Sequence, residues 1–582
     1  MRNAQIALHF DELADLYELD GAIVHRVLAY RNAAKAIRDA SASIEELTRT
    51  GRVTELAGIG KTIEEKITAL LDTGEIPAAQ KLKARYPPGL VEVTRIPGLG
   101  PKHARKLFDE LGVDSIEALK GAAESERIRG LKGFGPKAEE GILAALAAGA
   151  DGRPKARLLL SKALAIAEAL AAALREHPAC ERVQIAGSAR RRAETCRDLD
   201  LVATASDPAA LADAFCALPL IAEAGRSGTA GARAVTHNGI AVDLRIVAPE
   251  AFGNLLQHLT GSKQHNEALR TEAVKRGLHV SEYGILDDAD GISRTCATEE
   301  EVYALLGMDL PPPELRENRG ELRAARDRAL PTLVAETDIR GDLHCHTVAS
   351  DGRQTIEQMA LAARERGYEY ICITDHSATH GFGNDVPPDM LREQIERVRE
   401  VDARTEGIRV LIGTETNILP DGQPDYDDEL LAELDWVVGS VHTSFRLSED
   451  EQTARMVAAT EHPLIDVIGH PTGRLIERRE PYALDIDAVI AAAVRTGTFL
   501  EINANPDRRD LNEVNARQAV EAGVTLTIDS DAHGTETLAN IRYGIATARR
   551  AWITPEQVAN TRPWGELDAM RKRSRSRPAP RA

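Results

Sequence analysis

The sequence predicts a multidomain α/β protein, and three patterns carry that prediction. The front of the chain holds short apolar helices joined by a repeated Gly-x-Gly turn. From about residue 183 short strand-like runs appear, some with alternating faces. Beyond residue 341 short apolar strands alternate with helices, the rhythm of βα units around a parallel sheet or barrel. At 582 residues the chain has room for several cores.

The elements follow in order. Residues 1–85 read as short helices, with Leu13, Leu16, Leu19, Ile23, Val27 and Leu28 near helical spacing. A first turn, Gly58-Ile59-Gly60-Lys61, precedes a helix through Ile67 and Leu71. Within 86–150 two more turns, Gly98-Leu99-Gly100 and Gly133-Phe134-Gly135, each precede a helix. An Ala/Leu-rich helix fills 155–176. The region 151–250 then turns to strands at Val183-Gln184-Ile185-Ala186, from Asp200 to Thr204 and from Ile240 to Val247. Residues 251–320 are helical and mixed, broken at Pro311-Pro312-Pro313. A charged linker is expected over 321–340, a βα barrel over 341–565 and a basic, disordered tail over 566–582.

Bulk properties narrow the setting. No apolar run approaches a membrane span, and Met1-Arg2-Asn3-Ala4-Gln5 enters an amphipathic pattern rather than a signal-peptide core. Six scattered cysteines fit a reducing cytoplasm better than a disulfide scaffold. A net charge of -19 argues against nonspecific wrapping of nucleic acid. Local contacts to phosphate through backbone amides and a few arginines remain compatible with that charge.

The densest chemistry lies between Gly187 and Asp200. A small turn, Gly187-Ser188, is followed by Arg190, Arg191 and Arg192, and then by Asp198-Leu199-Asp200 in a strand-like run. Strand alternation points Asp198 and Asp200 the same way, and two such carboxylates repel unless a cation sits between them. All-oxygen ligands favour a hard ion such as Mg²⁺, shared with substrate phosphates that the arginines would hold. The element reads as a phosphoryl-transfer site. A third carboxylate on a neighbouring strand, which two-metal transfer usually needs, is available at Asp243.

A second constellation begins at His344-Cys345-His346. Asp351, His376, Glu415, His442, His470, Asp531 and His533 follow, almost every one just past the end of a predicted strand. Nine mixed nitrogen and oxygen ligands exceed the needs of one ion and suggest two or three, with Zn²⁺, Mn²⁺ or Fe²⁺ suited to them.

The run Gly-Ser-x-Arg-Arg-x-x-Glu-Thr-x-x-Asp-Leu-Asp, then Asp243, then Leu259-Thr260-Gly261-Ser262, resembles the family X DNA polymerases over roughly residues 1–320. The resemblance implies a nucleotidyltransferase-like palm over 151–250 and a thumb over 251–320. Asp198, Asp200 and Asp243 would hold two Mg²⁺ ions, and Ser188 and Arg191 would contact the β- and γ-phosphates of a dNTP. Gly187, Gly261 and Ser262 complete the nucleotide site. Asn266 and Arg270, four apart on one helix face, would lie at the minor-groove side of the nascent pair. Many members carry an aromatic pair before the Thr-Gly-Ser turn, where this chain has His258-Leu259, so the means of sugar selection is open. The turns at Gly58/Gly60, Gly98/Gly100 and Gly133/Gly135 resemble helix-hairpin-helix motifs, whose backbone amides approach DNA phosphates. Lys66 matches the Schiff-base lysine of the family's small lyase domain, although a phosphate contact or a solvated lysine reads equally well.

The histidine-rich half resembles the PHP (polymerase and histidinol phosphatase) family over roughly 341–565, with all nine ligand positions filled. Asp375, His380 and His462 do not match ligand positions, and roles behind the ligands or at the surface are expected for them. Together the resemblances imply a repair polymerase that fills short gaps in primer–template DNA. Its barrel would trim 3′ ends and cut at abasic sites in base excision repair. The enzyme is expected to work as a monomer in the cytoplasm, with the nucleoid. The alternatives are a PHP phosphoesterase with a non-catalytic DNA-docking front half, a silent repair scaffold, or a small-molecule phosphatase in the C-terminal half.

Overall fold

The computed structural model describes residues 1–40, 42–94, 96, 99–147, 157–228, 230–381 and 384–575. They form two compact units. The first comprises Met1–Leu158, Lys162–Gly187 and Thr195–Leu256, and the second Leu159–Ser161, Ser188–Glu194 and Gln257–Ala582.

The front of the first unit is helical, as its apolar spacing predicts. Helices Asn3–Leu19 and Val24–Asp39 pack on each other, burying Ile6, Phe10, Leu13 and Ile37. One core continues from there to Ile142. Gly60 and Gly100 stand as N-caps of helices Lys61–Thr73 and Pro101–Leu111, and Gly135 precedes helix Pro136–Ala147. Gly98 and residues 148–156 lie outside the described residues.

The same unit carries a mixed five-stranded sheet in the order Cys180–Ile185, Asp198–Ala205, Ala241–Ile246, Gly231–Thr236, Ile221–Arg226. Only the pair Asp198–Ala205 and Ala241–Ile246 runs parallel. That pair sits at the centre of the sheet and carries the three predicted carboxylates.

In the second unit helix Lys263–Val274 packs with a three-stranded antiparallel sheet, Leu278–Ser281, Gly284–Asp287 and Ser293–Arg294. The barrel follows. Its seven parallel strands lie in sequence order: Gly341–Asp342, Tyr370–Ile373, Arg409–Asn417, Trp436–Ser440, Val467–Ile468, Phe499–Asn503 and Leu526–Asp529. The ring closes where Cys345 bridges Ala532 and His346 N–H donates to the Ala532 carbonyl at 2.8 Å. A large apolar layer lies between strands and helices. A second cluster, including Tyr370, Leu411, Trp436, Val467 and Phe499, packs on the other side of the strands.

The charged linker expected over 321–340 is packed and not left in solvent. It opens with helix Glu321–Arg326, which buries Leu322 and Ala325, and Val334 and Ile339 are buried further on. Its backbone joins the barrel region where Val334 N–H donates to Ile553 and Arg340 N–H to Asn560. Buried Glu321 accepts from Asn318 N, Arg319 N and His265 Nδ1. The charge that suggested solvent is therefore satisfied internally.

Nor does disorder begin at 566. Helix Trp564–Met570 seats Leu567, fully buried, against the cluster of Tyr370 and Trp436, with Trp564 and Met570 beside it. Apolar residues three apart on a short helix explain the seat. Residues 576–582 lie outside the described residues.

Candidate metal centres

Strand register builds the first centre. Asp200 lies directly opposite Asp243, and Asp198 is two residues earlier on the same strand, so all three carboxylates share one face. They line a cavity of about 560 Å³ with Glu223 and Arg233. Gly187 explains the turn before them: its φ is +63°, and a Cβ there would stand 2.2 Å from Asp200 Oδ2. Only glycine lets the backbone come this close. Asp198 pairs with Arg197 at 3.3 Å and Asp243 with Arg233 at 3.4 Å. Asp243 Oδ1 is nevertheless buried without a hydrogen-bond partner, which fits a site that accepts a cation.

The predicted nucleotide residues are partly committed elsewhere. In the second unit Arg191 pairs with Glu317 at 3.0 Å and also donates to the Thr260 carbonyl. Ser262 caps helix Lys263–Val274, accepting from His265 N at 3.2 Å, and Gly261 adopts φ +65° beside it. The Asn266 amide spans Gln257 and the His258 carbonyl at 2.8 and 2.7 Å. Arg270 stands 3.4 Å from His258 Nδ1.

The glycine turns present open backbone. A Cβ at Gly60, Gly100, Gly133 or Gly135 would meet nothing within 4 Å, so protein packing does not require glycine there. At Gly58 a Cβ would lie 3.8 Å from Ala36 Cβ, an ordinary contact. Lys66 lies on helix Lys61–Thr73 with Nζ 5.8 Å from the centre of the Tyr30 ring, which stacks on Tyr17.

In the second centre, at the barrel's C-terminal rim, all nine predicted residues converge. His344 and His346 point inward, while Cys345 turns away and donates to the Cys372 carbonyl. Glu415 lies within its strand rather than past its end and bridges His376 in register. Its carboxylate is the hub. Oε2 lies 2.8 Å from His376 Nδ1, 3.3 Å from His344 Nε2 and 3.6 Å from His346 Nε2. Oε1 lies 2.9 Å from His470 Nε2 and 3.3 Å from His442 Nε2.

Three overlapping sets bring their ligand atoms within 4.8 Å of one another: His346, Asp351, His376 and His533; His344, His346 and Asp531; and His376, Glu415 and His442. Among the described residues the three aspartates of the first centre are not drawn together this closely, as expected of like charges with no cation between them.

Charge and burial oppose each other in this pocket. Burial would raise the Glu415 carboxyl, but His442, His344 and His376 hold it well below the usual carboxylate range. Asp531 behaves likewise beside His344 and His346. Burial lowers His346 to about 4, helped by His533 and His376, and lowers His470 to about 3, helped by Arg508. His533 resists burial through Asp351 and Asp531 and rises to about 9. His344 Nε2 and both ring nitrogens of His346 are buried without a hydrogen-bond partner. Orphaned imidazole nitrogens around carboxylates are the donor set of a transition-metal centre.

Sequence reasoning placed Asp375 outside the ligand set, in a supporting or surface role, and missed Glu501 and Arg508. Buried Glu501 accepts from His344 Nδ1 and from His470 N, both at 2.6 Å, fixing which His344 nitrogen faces the pocket. Asp375 accepts from Thr347, Ser350 and Gln394 and so braces the loop to Asp351. Arg508, 18 % exposed, brings Nε to 3.7 Å from Asp531 Oδ2. An acid inside the apolar strand Phe499-Leu500-Glu501-Ile502 was a readable signal for Glu501. Nothing in the local pattern marks Arg508.

These features define a class: a nucleotidyltransferase sheet and a metal-binding barrel on one chain. Residues 1–76 match the helix-hairpin-helix domain, 90–148 the SAM-like helix-hairpin-helix tandem, 255–317 the DNA polymerase beta thumb and 342–505 the PHP domain. The chain is 38% identical over 576 residues to the DNA polymerase/3′-5′ exonuclease PolX of Bacillus subtilis (strain 168), spanning 99% of this chain and 100% of that protein. It is also 31% identical over 231 residues to a "Probable phosphatase" of Thermoanaerobacter sp. (strain X514), covering 38% of this chain and 89% of that protein. A "Probable phosphatase" of Caldanaerobacter subterraneus subsp. tengcongensis is 34% identical over 203 residues, covering 33% of this chain and 75% of that protein. The chain belongs to the family X DNA polymerases that carry helix-hairpin-helix, thumb and PHP domains. Among the described residues no helix is long and apolar enough to cross a membrane.

Proposed function

We propose that this chain fills short gaps in DNA with its central sheet and hydrolyses DNA phosphodiesters with its barrel. The observation that carries the first activity is the register of Asp200 against Asp243 beside Asp198. Those carboxylates would hold two Mg²⁺ ions, which when bound lower the primer hydroxyl's pKa and offset triphosphate charge. The Gly187-Ser188 turn offers backbone and hydroxyl donors to the β- and γ-phosphates. Arg191 would share its guanidinium between Glu317 and phosphate. Gly261, Ser262, Asn266 and Arg270 would also contact the nucleotide. The open glycine turns, and Gly98 by its place in the same sequence repeat, would take DNA phosphates.

In the barrel His344, His346, Asp351, His376, Glu415, His442, His470, Asp531 and His533 would hold two or three Zn²⁺ or Mn²⁺ ions, which supply a hydroxide nucleophile when bound. Glu501 orients His344, and Arg508 would meet phosphate oxygens. If Arg508→Met keeps both the bound metal and full exonuclease activity, that role for Arg508 is wrong. The product pattern would be 3′–5′ trimming together with incision at abasic sites, in base excision repair. Lys66 would form a Schiff base with an abasic sugar. Unchanged borohydride trapping in Lys66→Ala would remove that role. The enzyme would act as a monomer in the cytoplasm, with the nucleoid.

One observation favours a second reading, a PHP nuclease with a docking front half: Arg197 and Arg233 occupy Asp198 and Asp243. Gap filling by the wild type, lost in Asp198→Ala, supports the polymerase reading. Gap filling that survives in that variant refutes it.

A further inference from the structure

The loop Ser188–Glu194, which precedes Asp198 in the chain, belongs to the second unit. There it is gripped by three arginines of the barrel region. Arg550 Nη1 donates to the Arg191 carbonyl at 2.9 Å. Arg509 Nη2 donates to the Arg192 carbonyl at 3.2 Å. Arg474 pairs with the Glu194 carboxylate through both of its terminal nitrogens, one of them at 3.2 Å.

These contacts are not surface chance. The Arg474, Arg509 and Arg550 side chains are at most about a tenth exposed. Three guanidiniums buried together repel one another and keep their charge only where acceptors surround them. Glu513 and Glu317 serve Arg550 at 3.0 and 2.9 Å. Thr547 Oγ1 accepts from Arg509 Nε at 2.8 Å and the Arg509 carbonyl accepts from Arg474. The loop supplies the Arg191 and Arg192 carbonyls and the Glu194 carboxylate. Glu317 also accepts from Arg191 Nε at 3.0 Å. The grip lies on an unusual backbone: Arg192 has φ +58°, a left-handed conformation that a non-glycine residue holds only when its surroundings fix it.

We propose that Arg474, Arg509 and Arg550 are positioning residues for nucleotide binding: the barrel region sets the shape of the loop that meets the triphosphate. Its part in the chain is therefore not confined to hydrolysis. The inference rests on the reading that Ser188 and Arg191 contact the triphosphate. Charge-assisted bonds to main-chain carbonyls and to Glu194 hold the donors of Ser188 and Arg191 in one arrangement before the nucleotide arrives. Their loss should weaken nucleotide binding and leave the bond-making step itself intact.

The test uses the full chain on a single-nucleotide gap. KM for dNTP, kcat, and the exonuclease rate on a single-stranded primer are measured for wild type, Arg474→Met, Arg474→Lys, Glu194→Gln and Ser188→Ala. KM should rise about tenfold in Arg474→Met and in Glu194→Gln, each of which breaks the Arg474–Glu194 ion pair. Combining the two should add little, because both cut the same link. Arg474→Lys should recover part of the loss, and kcat and the exonuclease rate should hold. Wild-type KM in folded Arg474→Met and Glu194→Gln overturns the inference. If Arg474→Met does not fold, the more exposed Glu194→Gln decides alone. A raised KM in Ser188→Ala with normal KM in the link variants removes this inference only. Normal KM in Ser188→Ala as well removes the reading of the loop and the inference with it.

Discussion

Replacing Glu501 with glutamine keeps the shape of the barrel centre and reverses one hydrogen bond. Oε1 accepts from His344 Nδ1 at 2.6 Å. Oε2 accepts from His470 N at 2.6 Å and from Asn503 Nδ2 at 3.1 Å. Glutamine supplies one oxygen and one amide nitrogen. If the oxygen serves His344, the amide faces two N–H donors; if the oxygen serves those, the amide faces the His344 N–H. Either way a buried donor loses its acceptor, at about 1.5–3 kcal/mol for a bond to a charged group. If that loss falls on the orientation of His344, metal affinity drops about 10–100-fold. A chelator-competition titration with Zn²⁺ or Mn²⁺ measures the affinity directly. Exonuclease rate should fall with it at limiting metal, while gap filling stays at the wild-type rate. Wild-type metal affinity in folded Glu501→Gln would show that Glu501 does not hold His344 for a metal.

Three further outcomes are expected. Gly187→Ala places a Cβ 2.2 Å from Asp200 Oδ2 at φ +63°, so primer extension should fall at least ~100-fold while degradation persists. Leu567→Ala should destabilise the second unit by about 2–5 kcal/mol, seen as an earlier thermal transition. In the metal-free protein His533 keeps its proton up to about pH 9, against an ordinary 6.5. The stability from its charged form is complete below pH 6.5 and is lost as pH rises through 9. A metal needs the free imidazole, so apparent metal affinity should climb between pH 6.5 and 9, read by the same competition titration at several pH values. A pH-independent affinity would contradict the assignment of His533.

Much of the site was legible because period-two and βα patterns report which way side chains face. Asp198 and Asp200 could be placed on one face from spacing alone, and the nine barrel residues stood out because predicted strands ended just before most of them. The partner across the sheet was not legible in that way: Asp200 opposite Asp243 is a pairing register, set by strands some 40 residues apart in sequence. Charge misled the reading at 321–340, where Glu321 looks solvated and is instead buried against His265. Shortness misled it at 564–570, where three apolar residues give too little periodicity to distinguish a seated helix from a tail. Arg191 illustrates a third limit: its role was taken from a motif, while its observed partners, Glu317 and the Thr260 carbonyl, come from distant sequence.

One chain that runs two opposed reactions from two centres should lose each reaction separately. A labelled primer–template incubated with Mg²⁺ and Mn²⁺, with and without dNTPs, tests this using wild type, Asp200→Ala and His344→Ala. Extension and degradation are expected in the wild type, degradation alone in Asp200→Ala, and extension alone in His344→Ala. Loss of both reactions in either folded variant, or of neither, would contradict this.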